Sequence, residues 1–229
     1  MPGGLTLSRP PLVVELVGPA GVGKSTLLGA LSERGLVGGR SIWGQPVLPL
    51  LGTGLQLLPI VVRFWRESRA LLWDESRHMV RLKTLHQAIR RGELLGERVV
   101  IFDEGPIFAL AWLRGFGHAT LRSPASEAWW RTAFRDWGEV IDTVVVLEAS
   151  DDLLAGRIRN RPEAHEVKEL PDEEIALWMA RFREALDWVL AGMVQHGGPS
   201  VLRLSTDSLP AEHLAGRILE SLKRGAHDN

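Results

Sequence analysis

The residues Gly18-Pro19-Ala20-Gly21-Val22-Gly23-Lys24-Ser25 fit the pattern G-x-x-x-x-G-K-[ST], and no other stretch of the chain restricts its fold as tightly. The flanks complete the constraint. Leu12 to Val17 reads as a buried strand and Ser25 to Leu31 opens a helix, so the motif has to join a strand end to a helix start. Glycines at 18, 21 and 23 allow backbone conformations that a Cβ forbids, and successive N–H groups can then turn inward as an anion nest. A phosphate chain needs such a nest, whereas a loop that merely connects two elements does not. Gly18, Ala20, Gly21, Val22, Gly23, Lys24, Ser25 and Thr26 are therefore the candidate binding residues for a nucleoside triphosphate. Lys24 supplies a mobile positive charge for the β- and γ-phosphates, and the Ser25 hydroxyl is a ligand for Mg²⁺. The loop names a ligand class and leaves the reaction open.

A second segment narrows the chemistry. Arg98 to Phe102 is an apolar strand that runs into Asp103-Glu104 and then a Gly105-Pro106 turn, the way a buried parallel strand ends at an active-site crevice. A carboxylate there can hold Mg²⁺ or take a proton from a nucleophile, which makes Asp103 a metal candidate and both Asp103 and Glu104 catalytic candidates.

The remaining pattern alternates strands and helices. Strands are expected near residues 12, 99, 143 and 201, with a short one over Arg40 to Trp43, and residues 44–54 read as irregular chain. Helical periodicity covers Leu55 to Arg91, Ile107 to Leu113, Ser126 to Trp137, the stretch after Ser150, Asp172 to Gln195, and Pro210 to Leu222. That order defines an α/β protein: a parallel sheet with helices on both faces, in three layers. No repeat or linker divides the chain, so residues 1–229 are read as one domain, with residues 1–10 a loose leader.

Composition excludes more than it selects. A net charge of -1 gives no global attraction to nucleic acid or to an anionic membrane, and neither is expected as a partner. The absence of cysteine removes disulfides, thiol chemistry and cysteine-ligated zinc, which suits a cytoplasmic protein. One local bias stands out: between Val61 and Arg91 there are eight arginines and lysines against three acidic residues. A solvated helix face and an electropositive rim for an anionic substrate both account for it.

In the order of its parts the chain resembles the nucleoside and nucleotide kinase family, in particular the thymidylate kinase and deoxynucleoside kinase branches. The resemblance rests on the loop at 18–25, the carboxylates ending the strand near residue 100, the Arg157-x-Arg159-x-Arg161 run before a charged loop, and a final strand and helix. It implies a five-stranded parallel sheet, ATP with Mg²⁺ as phosphoryl donor, and a lid over residues 156–172. Arg157, Arg159 and Arg161 match the family's lid arginines, whose guanidinium groups neutralise charge on a transferring phosphoryl group. The partner so implied is a small-molecule phosphoryl acceptor, most readily a nucleoside or nucleotide, with a homodimer left open.

Two positions depart from the family pattern. Gln45-Pro46 stands where Glu-Pro is usual, and Asp103-Glu104 stands where an acid is followed by arginine. Gln45, Phe64, Arg66 and Arg69 are the candidate acceptor-binding residues, with core packing the competing role for Phe64. A P-loop ATPase or GTPase switch, with Glu104 activating water, is the alternative reading, followed by a degenerate nucleotide-binding module.

Overall fold

The computed structural model describes residues 11–36, 38–45, 47–70, 72–94, 97–160 and 167–225. The leader expected over 1–10 and Arg161, with part of the lid segment, lie outside them.

β1 (Leu12–Val17) leads through the glycine loop into α1 (Lys24–Ser32), then β2 (Gly38–Arg40), α2 (Val47–Ser68), α3 (Trp73–Arg90) and β3 (Val99–Asp103). α4 (Pro106–Gly115), α5 (Glu127–Gly138), β4 (Thr143–Glu148), α6 (Asp151–Arg159), α7 (Asp172–Val194), β5 (Ser200–Ser205) and α8 (Ala211–Gly225) complete the chain. The five strands form one parallel sheet in the order β2-β3-β1-β4-β5. β1, which carries the glycine loop, is thus the central strand, flanked by β3 with its terminal carboxylate and by β4.

Alternation along the strands splits the core into two layers. Val13, Val17, Val100, Phe102, Val144 and Val146 face α2 to α5 and the C-terminal half of α7. Val14, Leu16, Ile101, Val145 and Leu147 face α1, α6, α8 and the N-terminal half of α7. Each face of the central strands is buried, so their sequences read as nearly unbroken apolar runs.

Two local expectations are corrected. The second strand lies at Gly38–Arg40 rather than Arg40 to Trp43, because Ser41 caps a single 3-10 turn over Ile42–Gly44 by accepting the Trp43 N–H at 3.2 Å. Residues 47–54, expected to be irregular, belong to α2 despite Gly52, Gly54 and Pro59. Leu57 and Phe64 of this helix are buried against α3, and that burial outweighs the weak propensity of its first turns. Pro59 denies an N–H to the carbonyl of Leu55, but both residues lie on the exposed face, where water can satisfy that carbonyl. Ser150 sits at the N-cap of α6 without a side-chain capping bond; its own N–H donates to Asp207 at 3.0 Å. No helix among the described residues is long and apolar enough to cross a membrane.

Candidate active site

The glycine loop packs where only glycine fits. A Cβ on Gly18 would stand 2.5 Å from the carbonyl oxygen of Leu147 on β4. Gly21 and Gly23 adopt φ of 78° and 98°, and Gly23 is the N-cap of α1. No side chain caps this helix, so its first amides are left to the cleft that the loop lines. Val22 is fully buried and anchors the loop, while Ser25 and Thr26 are exposed. The Lys24 ammonium folds back across the loop and donates to the carbonyls of Gly18 at 2.9 Å and Pro19 at 3.2 Å.

Parallel register places Asp103 opposite Leu16, one residue before β1 ends. Its Oδ1 is buried and accepts no hydrogen bond. Such an atom is costly beside apolar groups and suits a cation, so the residues present fit a Mg²⁺ ion held by Asp103 and Ser25. Glu104 follows with φ of 54°, a left-handed conformation unfavourable for a residue with a Cβ. The next residue has to be glycine: a Cβ at Gly105 would lie 2.6 Å from Cβ of Phe102 and 2.8 Å from the Glu15 carboxylate.

Glu15 is the residue that sequence reasoning passed over. It points to the same face of β1 as Val13 and Val17, is fully buried, and accepts the N–H groups of Ile107 and Phe108 at 2.8 Å each. It therefore caps the first turn of α4 from a strand distant in sequence. Burial pushes its carboxyl up to about 8; the two amides oppose that shift and the charge of Asp103 adds to it. A single acid inside Leu-Val-Val-Glu-Leu-Val was the available signal, since an acid in a doubly buried strand requires a partner.

The candidate arginines separate. Arg157 lines the cleft and donates to Thr206, to its hydroxyl at 3.1 Å and its carbonyl at 3.2 Å. Arg159, on the other hand, is directed to Asp172 at 2.5 Å and to the Leu170 carbonyl at 3.2 Å, and is not part of the cleft wall.

The candidate acceptor residues also fall elsewhere. Phe64 is buried and borders a separate cavity under α2. Arg66 and Arg69 are exposed and outside the cleft. Gln45 is a structural clasp: its Nε2 donates to the carbonyls of Ile42 and Arg81 at 2.9 Å each, fixing the chain after β2 to α3. None of the eight basic residues between Val61 and Arg91 lines the cleft, so the electropositive-rim reading fails there. Arg81, for instance, donates to the carbonyl of Trp43 at 3.2 Å and lies 4.9 Å from its ring centroid.

What does face the loop across a cleft of about 920 Å³ is aromatic and acidic: Trp43, Asp74, His78, Trp112 and Phe108, together with Glu104. His78 stacks on Trp112 at 4.3 Å, meets the Trp43 ring edge-on at 5.0 Å, and its Nδ1 lies 2.8 Å from the Asp74 carbonyl. Burial holds its imidazole below the usual range, only partly offset by Asp74. Asp74 and His78 share one face of α3 by their four-residue spacing, a pattern visible in the sequence.

No family model and no curated protein matches the chain. Among solved structures it is similar to a thymidylate kinase from Candida albicans, at a TM-score of 0.58 and 11% identity over 96% of this chain and 94% of that one. It is also similar to a deoxyadenosine kinase from M. mycoides, at 0.53 and 13% over 93% of this chain and 100% of that one. The fold is accordingly that of the P-loop kinases: a five-stranded parallel sheet with the glycine loop on its central strand. Within that class it is the fold found in the two nucleoside and nucleotide kinases just described.

Proposed function

We propose that this protein is an ATP-dependent kinase that moves the γ-phosphoryl group to a hydroxyl of a small molecule. One observation carries the reading: the loop with Lys24, the strand end Asp103-Glu104, and Arg157 converge on a single cleft. Loop amides and Lys24 would hold the β- and γ-phosphates, and Arg157 would neutralise charge on the transferring group. Ser25 and Asp103 would hold Mg²⁺, which when bound supplies further charge neutralisation. Glu104, exposed at the cleft, would take the proton of the acceptor hydroxyl as its oxygen attacks the γ-phosphorus; the bond to the bridging oxygen breaks and its electron pair leaves on ADP.

The acceptor side supports a nucleoside over a nucleotide. Its walls are aromatic rings and the carboxylates of Asp74 and Glu104, and the described cations of the cleft, Lys24 and Arg157, belong to the phosphate side. A flat ring can stack there; an added phosphate would meet like charge. ADP release from Mg-ATP, measured with and without nucleosides, tests the reading. Stimulation of at least about tenfold by one nucleoside supports it, since positioning the acceptor is the main source of rate. Equal rates with and without every acceptor count against it.

A further inference from the structure

A second cavity, of about 260 Å³, opens between α2, α3 and α5, apart from the cleft. Its body is apolar, with Leu57, Phe64, Met79, Leu82, Trp129 and Trp137 among its walls. Arg63, Lys83, Thr132 and Asp136 also border it, and so does His86 of α3. Its ring meets Trp137 edge-on at 5.6 Å, and burial lowers its imidazole from the ordinary range, opposed by the charge of Asp136 and, least, by a hydrogen bond from one ring nitrogen to the Asp136 backbone. The other ring nitrogen, Nε2, is buried and has no hydrogen-bond partner. A neutral imidazole that donates through one nitrogen presents a lone pair on the other. The cavity thus combines a largely apolar body with a buried imidazole nitrogen that lacks a partner.

We propose that this cavity is a binding site for a small neutral ring compound carrying one hydroxyl or N–H group, the donor that His86 Nε2 lacks. Size agrees: an engineered apolar cavity of roughly 150 Å³ holds benzene, so about 260 Å³ accommodates one ring with a substituent or a fused pair. Chemistry agrees as well, since a mostly apolar pocket with a few placed polar groups is the usual form of a small-molecule site. The proposal does not depend on the kinase reading, because none of these walls belongs to the phosphate cleft.

The test uses the full-length protein with phenol, indole and toluene as probes, followed by tryptophan fluorescence and by the His86 imidazole resonances. Phenol or indole should bind saturably and shift the His86 signals, with toluene about five- to tenfold weaker, the discrimination expected of one hydrogen bond. His86→Phe should erase that discrimination. Ala128→Trp, at an exposed position on the cavity wall, should block all three probes while the protein keeps its thermal midpoint. Toluene binding as tightly as phenol would overturn the assignment of His86 as acceptor. Absence of saturable binding by any probe, or binding unaffected by Ala128→Trp, would overturn the site itself.

Discussion

Glu15 accepts the backbone N–H of Ile107 at 2.8 Å, so the strand before the glycine loop is fastened to the helix after Asp103 and Glu104. With the matching bond from Phe108, it sets β1 and the start of α4 in one frame, and Asp103 and Glu104 lie between these anchors. The glycine loop and the carboxylates of the cleft are positioned together because one buried acid is fastened to both.

That acid makes stability depend on pH. Its folded-state value, about 8, lies above the ordinary 4.5, so the folded protein holds the proton more tightly than the unfolded chain does. The resulting stability is fully present below pH 4.5 and is lost as pH rises through 8, by an amount on the order of a few kcal/mol. Denaturant midpoints measured across this window should fall with pH in the wild type and remain nearly flat in Glu15→Gln.

Arg157 and Arg159 should behave differently although both were read as lid residues. Arg157→Ala should lower turnover about 10²- to 10³-fold, the scale of removing one preorganised charge from a phosphoryl-transfer site. Arg159→Ala breaks an exposed pair with Asp172 that contributes at most about 1 kcal/mol, and turnover should stay within about twofold. Steady-state rates of both variants, with folding checked by circular dichroism, decide the matter.

Asp103→Asn should raise the Mg²⁺ concentration needed for half-maximal rate by about tenfold or more, because it removes the charge but keeps the shape of the ligand. Glu104→Gln should leave that concentration unchanged while lowering the maximal rate about 10²- to 10⁴-fold, the range of a lost general base. Magnesium titrations of the two variants separate the roles; identical profiles would merge them.

Gly18→Ala should cost stability sharply, since the added carbon meets the Leu147 carbonyl at 2.5 Å and neither strand end can move without disturbing the sheet. A loss above about 2 kcal/mol in chemical denaturation is expected, within the range of severe core substitutions.

The loop side of the cleft is legible in the sequence because its residues are contiguous: Gly18 to Ser25 is one loop, and Asp103 ends a run of apolar residues. The central strands were legible for the same reason, since burial on both faces leaves unbroken apolar sequence. Where function depends on distant pairs, local pattern fell short. Glu15 gains its meaning only from α4, Gln45 from Arg81, and the aromatic wall of the cleft from Trp43, His78 and Trp112 meeting across three elements. The start of α2 was obscured by Gly52, Gly54 and Pro59, whose low helix propensity was overridden by the burial of Leu57 and Phe64. Phe64 was read partly as an acceptor contact because sequence cannot distinguish a ring facing a cleft from one facing a core.

The fate of the γ-phosphate tests the central claim most directly. With ATP labelled at that position, Mg²⁺, and the nucleoside that gives the greatest stimulation, label should appear in an organic phosphate monoester in proportion to ADP formed, and Lys24→Ala should abolish it. Label released only as inorganic phosphate, at a rate indifferent to any acceptor and sensitive to Glu104→Gln, would contradict the kinase reading and identify a hydrolase.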